Sequence, residues 1–303
     1  MRSIKGKKVT WIDLFKPTIE DLDAIKKIHK FHPIILDELL HSSVRTRSER
    51  YGEYLFLVYH FAEYDQVSKT SRRTEIDFLI TKNTIITAHY ENLEQLNQLF
   101  DLFSKNQKER DRVLNGDTLL ATYAAFEKAI SFSLRQLHHI EEQVTRIAED
   151  IFADKEEELL RTISEVKRNI LDYRLITRHQ EKFFQNIHDL GLSFWGEKSR
   201  VYLTDLMNDN IPVQRNLESY FETIESLENT NAQLLEARTN RVIKRFTVGA
   251  FLSSIPLYFV FFSEFTYIHE IFAASPTRFW ISFFVIHGTV IGLWLIFKHK
   301  KIV

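Results

Sequence analysis

Two uncharged apolar runs near the C-terminus constrain this chain more than any other feature. Phe246 to Ser263 holds 18 residues without a charge, and Phe279 to Phe297 holds 19. At ~1.5 Å rise per residue, each run makes a helix of roughly 27–29 Å, close to the ~30 Å hydrocarbon thickness of a bilayer. Pro256 lies inside the first run, where a transmembrane helix tolerates it as a kink. Trp280 and Trp294 stand near the two ends of the second run, where interfacial indoles are favoured. A buried hairpin of a soluble domain is the competing reading. Basic residues set the orientation. Arg238, Arg241, Lys244 and Arg245 precede the first run, and Lys298, Lys300 and Lys301 follow the second. The intervening Glu264 to Arg278 holds one Arg and two Glu. The positive-inside rule then predicts a multi-pass protein of the cytoplasmic (inner) membrane with both termini cytoplasmic. No apolar stretch that would make a signal peptide follows the basic Met1 to Lys8.

Composition narrows the function. The 303 residues carry 40 Lys+Arg against 41 Asp+Glu, which argues against a general nucleic-acid binder. No cysteine is present, which excludes disulfides, thiolate metal sites and a cysteine nucleophile. The mean hydropathy of −0.22 conceals an asymmetry, because 11 of 25 Phe fall in the last 60 residues. Only eight Gly and five Pro interrupt the chain, so long helices are expected. Neither Gly-rich phosphate loop nor Gly-x-Ser-x-Gly elbow occurs. Neither an enzyme nor a bound organic cofactor is expected.

The spacing predicts an α/β domain over 1–112, a helical stalk over 113–245 and a transmembrane domain over 246–303. Val9 to Asp13 and Tyr54 to Phe61 read as strands, and Glu75 to His89 as two strands turning at Lys82-Asn83. Thr18 with Asp21 reads as a capping box opening a helix on Leu22, Ile25 and Ile28. Leu119 to Asp150 and Glu156 to Leu190 carry helical periodicity. A break is expected around Gly191 to Gly196, and from Tyr202 the helical pattern resumes and, apart from Pro212, runs without a breaker into the first apolar run, with one helix expected from Ile211 to Ser263.

That last helix carries a polar or small stripe. Asn229, Gln233, Glu236, Asn240, Ile243, Thr247, Ala250 and Ser254 recur at alternating steps of four and three, and so share one face. Polar groups at membrane depth are costly unless they face water or one another. Two spans cannot enclose a pore, but several copies around an axis can. The stripe then becomes stacked rings of amide, carboxylate and hydroxyl oxygens, with Ile243 or Phe246 as a hydrophobic gate. A coiled-coil seam that fixes register is the alternative. His287 within the second run reads as a neutral ring bonded to the neighbouring helix.

Several short motifs, in order, resemble the CorA family of divalent metal-ion transporters. They are Trp11-Ile12-Asp13-Leu14 with Pro17-Thr18, His32-Pro33 with Leu36-Asp37, Tyr54-Leu55-Phe56-Leu57-Val58, Thr81-Lys82-Asn83 and Lys167-Arg168-Asn169. Thr239-Asn240, Lys244, Thr247 and Pro256 follow, and the basic tail closes the series. The resemblance implies a funnel-shaped homopentamer in a lipid bilayer, with Mg2+ or another divalent cation as substrate and possible regulator. It implies that Asn240 lines the pore, that Asn229 stands at its cytoplasmic mouth, and that Phe246 sits near a constriction. It also implies Asp65 and Asp205 as carboxylates for a regulatory ion between subunits, ordinary surface carboxylates being the alternative. The chain departs from the family at its signature. Gly-Met-Asn, or Gly-Ile-Asn in the zinc-transporting ZntB branch, is replaced by Ser263-Glu264-Phe265-Thr266-Tyr267-Ile268-His269-Glu270. Glu264 and Glu270 are the candidates for an outer entrance. Zinc or another transition metal as substrate, or a non-conducting pentameric scaffold or sensor, are the rival functions.

Overall fold

The computed structural model describes residues 1–153, 155–263, 270 and 275–299. The chain divides into two compact units, Met1–Glu228 and Asn229–Val303.

The first unit is built on a six-stranded mixed sheet. Its strands are β1 Arg2–Lys5, β2 Thr10–Phe15, β3 Arg47–Tyr51, β4 Tyr54–Asp65, β5 Thr70–Ile80 and β6 Thr84–His89. Their order is β1-β2-β6-β5-β4-β3, with β2 and β6 parallel and every other pair antiparallel. Both faces of the central strands are covered, which is why Tyr54 to Phe61 reads as a continuous apolar run. Period-two alternation sorts that run. Leu55, Leu57, Tyr59 and Phe61 enter one core, while Tyr54, Phe56 and Val58 enter the other.

The smaller core lies under α1 Ile19–Ile28 and α2 Pro33–Glu38, which bury Leu22, Ile25, Ile35 and Leu36. The Thr18 capping box at the start of α1 is formed, with Asp21 N–H donating to Thr18 Oγ1 at 3.3 Å and Thr18 N–H donating to Asp21 Oδ2 at 3.1 Å. The larger core lies under α3 Glu94–Lys105, α4 Gln107–Leu114, α5 Thr118–Asp150, α6 Glu156–Thr177, α7 Gln180–Trp195 and the first turns of α8 Arg200–Ser263. At its centre Tyr59, Phe126, Phe183 and Phe184 pack with ring centroids 5.1–5.8 Å apart.

The expected helix from Glu156 to Leu190 is two helices. Arg178 and His179 divide them, and α7 continues through Gly191 to end at Gly196, whose φ of 86° suits only glycine. The last long helix begins at Arg200, two residues before the helical pattern expected to resume at Tyr202, and takes in the expected Ile211 to Ser263. It runs through Pro212, because that residue and Asn208 are exposed and water can satisfy the carbonyl that proline leaves without an N–H.

In the second unit, the C-terminal part of α8 and the helix α9 Pro276–His299 are long and apolar enough to cross a membrane. Leu252 is 4 % exposed, and Phe259 stacks on Phe279 at 5.7 Å and meets Phe283 at 6.5 Å.

Candidate functional site

Within the second unit, α8 meets α9 where Phe259 packs on Phe279 and Phe283, and Leu252, two turns earlier on the same face, is buried. Leu252 and Phe259 mark this side. At 3.6 residues per turn, Ile243, Thr247, Ala250 and Ser254 lie roughly 160° round the helix from them. Asn229, Gln233, Glu236, Asn240, Thr247 and Ala250 are exposed, and Ser254 is half-buried. Ile243 is 54 % and Phe246 77 % exposed. Large apolar side chains this open, next to bare amides, imply a further surface that a single chain does not supply.

The oxygen chemistry of the stripe is graded along the helix. Amide and carboxylate groups occupy its start at Asn229, Gln233, Glu236 and Asn240. Hydroxyls follow at Thr247 and Ser254. Ser254 donates its proton to Phe251 O at 2.7 Å, which leaves the lone pairs of its oxygen for a cation or its water. Ser253, one position round, donates to Ala250 O at 2.9 Å. Of the two entrance candidates, Glu270 is exposed, and Glu264 lies outside the described residues. His287 is bonded to its own helix rather than to the neighbouring one. Its Nδ1 lies 3.0 Å from Phe283 O, and its ring centroid 3.9 Å from that of Phe283.

In the first unit, Asp65 and Asp205 have separate surroundings. Asp65 closes the turn after β4, accepting from Ser68 N–H at 3.2 Å and Ser68 Oγ at 2.7 Å, with Arg72 Nε 3.7 Å away. The Ser68 hydrogen bonds hold its carboxyl below the usual carboxylate range. Asp205, in the second turn of α8, accepts from Tyr123 Oη at 2.6 Å. Asp209 stands one turn further on, its carboxyl raised by burial and by the charge of Asp205. Among the described residues, no three His, Asp or Glu side chains of one chain converge on a metal position. The i, i+4 spacing of Asp205 and Asp209 marks this acidic face in the sequence, whereas Tyr123 reaches it only through the fold.

A buried polar network on the α1–α2 face of the sheet carries no sequence signature at all. His60 Nε2 lies 2.9 Å from Glu75 Oε2, Ser43 N–H donates to Glu75 Oε1 at 2.8 Å, and Tyr90 Oη donates to Asp77 Oδ2 at 2.8 Å. His60, Glu75 and Asp77 are each 5 % exposed or less.

The description "CorA-like Mg2+ transporter protein" matches residues 6–299. The cobalt/magnesium transport protein CorA of Thermotoga maritima is 20% identical over 257 residues, covering 83% of this chain and 71% of the relative. The protein of the same description from Methanocaldococcus jannaschii is 19% identical over 281 residues, covering 92% and 86%. The complete structure of the CorA magnesium transporter from M. jannaschii superposes with a TM-score of 0.81 at 17% identity, covering 98% of this chain and 92% of that one. That superposition takes in nearly the whole chain, and the family match spans residues 6–299: this chain belongs to the CorA family of Mg2+ transporter-like membrane proteins.

Proposed function

We propose that the protein moves divalent cations, Mg2+ first, along the axis of a homopentamer in the cytoplasmic membrane, with both termini cytoplasmic. The observation that carries this reading is the exposed polar stripe of α8. It lies on the side turned away from α9, and it continues from the amides at Asn229–Asn240 into the apolar segment at Thr247 and Ser254. Five copies around an axis would bury that stripe against itself and against water. A partly hydrated cation could then exchange water for ring oxygens step by step. Ile243 and Phe246 would narrow the path by dewetting when closed. Glu264 and Glu270 would gather cations at the outer mouth, where the family's amide signature is missing. Asp65 and Asp205 of adjacent subunits would hold a regulatory ion.

No covalent chemistry is needed. A potential of ~100 mV supplies about 4.6 kcal/mol to a doubly charged ion, twice the single-charge value. The relatives named above are described as transporting cobalt and magnesium, in keeping with a hard, hydrated divalent substrate.

The test is Mg2+ influx into liposomes containing the purified protein, against protein-free liposomes. Influx is expected. An intact oligomer that passes neither Mg2+ nor Co2+, Ni2+ or Zn2+ would make the chain a non-conducting scaffold. Zn2+ flux without Mg2+ flux would reassign the substrate.

A further inference from the structure

A cavity of about 860 Å3 in the first unit lies between the strand segment at Val44–Ser48 and the α6–α7 junction. It falls within the roughly 300–1,000 Å3 range of small-molecule sites. Arg45, Arg73, Arg178 and Lys182 all line it, with His179 between the last two. No Asp or Glu lines it. Behind the wall, Glu75 is already engaged by the lining residue His60 and by the Ser43 N–H. Among the described residues, none of the four cations has a carboxylate within ion-pair distance. Arg73 donates to Val44 O at 3.3 Å and Arg178 to His179 Nε2 at 2.9 Å, which fixes two of the guanidinium groups while leaving other N–H donors of each.

This concentration of positive charge is local. The whole chain carries a formal charge of −1, and cations elsewhere on the same long helices meet carboxylates, as Lys167 does Glu225 and Glu228 and Arg174 does Glu218. Four unmatched cations round one concavity repel one another, and an anion there would offset that cost. Three forked guanidinium groups match the planar or tetrahedral oxygens of a phosphate better than a point anion such as chloride. The exposed apolar side chains of Val44 and Leu175 form another part of the wall, suited to a ribose or base.

We propose that this cavity binds the polyphosphate chain of a nucleotide-like metabolite, a site distinct from the cation path of the second unit. Isothermal titration of the purified full-length protein in metal-free buffer, with sodium tripolyphosphate and then with ATP, tests this. Saturable binding of both is expected, with a dissociation constant on the order of 0.1 mM, weakening as NaCl is raised. The double variant Arg45→Gln/Arg178→Gln should bind both probes at least tenfold more weakly with an unaltered helical circular dichroism signal. Arg110→Gln, on α4, should leave binding unchanged. No saturable heat with either probe, equal binding by the double variant, or binding of ATP without tripolyphosphate would each overturn the assignment.

Discussion

The charge state of Asp77 bears directly on the fold. It is 2 % exposed, shares a strand face with Glu75 two positions away, and its Oδ1 has no hydrogen-bond partner among the described residues. Burial, followed by the neighbouring Glu75 charge, pushes its carboxyl well above the usual range. Folding therefore takes up a proton. The associated stability is complete below the ordinary carboxylate range and is lost as pH rises towards the raised folded value. Asp77→Asn keeps the acceptor for Tyr90 Oη and removes the charge, so it should raise the thermal midpoint at pH 7.5 by the equivalent of roughly 1–3 kcal/mol. The gain should shrink towards pH 4.5. Circular dichroism melts of the full-length protein at the two pH values check this, and a gain that grows on acidification would refute it. Gly6 makes a second prediction at the same scale. An added Cβ there would press on Leu114 Cβ and lie 2.5 Å from Leu114 O, which also accepts the Val9 N–H at 3.0 Å. Backbone cannot yield as a side-chain tip does. Gly6→Ala should cost about 1–3 kcal/mol, a drop of several degrees in the same melt.

Among elements, α8 is where sequence and structure meet most closely. Its stripe was legible because heptad spacing survives in any helix, whatever packs on it. The expected strands Val9–Asp13 and Tyr54–Phe61 overlap β2 and β4, since β-branched and aromatic runs between turn residues admit little else. The division between α6 and α7 was not legible. Neither Arg178 nor His179 is a helix breaker, and Gln180, the first residue of α7, is anchored below the junction through contacts distant in sequence, its Nε2 donating to Tyr59 Oη at 3.0 Å and His60 O at 2.9 Å. The cationic cavity was illegible for the same reason, because β3, β5 and the α6–α7 junction bring its residues together from positions 45 to 182. The stripe makes its own prediction. In the proposed pentamer Asn240→Leu would replace a ring of amide oxygens with an apolar ring, and Mg2+ flux into liposomes should fall at least tenfold, about 1.4 kcal/mol in barrier height. The oligomer should remain intact in gel filtration, since leucine suits a helical seam. Unchanged flux would remove Asn240 from the pathway.

At the scale of the whole molecule, the two aspartates implied as regulatory are set up differently. Asp205 has one oxygen held by Tyr123 and a second carboxyl, Asp209, a turn away whose proton affinity Asp205 already raises. Asp65 is locked into its turn by Ser68. Among the described residues no three metal-ligating side chains converge at either one, and in the proposed pentamer an ion shared with an adjacent subunit would give each a metal partner. Such an ion would bind the assembled protein and not the unfolded chain, so mass action raises stability by about 1.4 kcal/mol at ten times the dissociation constant. The midpoint of the wild-type oligomer should therefore climb with Mg2+ concentration and level off. Asp65→Asn and Asp205→Asn should each flatten that climb, because removing either carboxylate breaks the same bridge, and the double variant should be no flatter than either single one. That non-additivity separates a shared ion from two independent weak sites, whose losses would add. A climb that persists in the double variant would leave both residues as surface carboxylates, with the Mg2+ response arising elsewhere in the assembly.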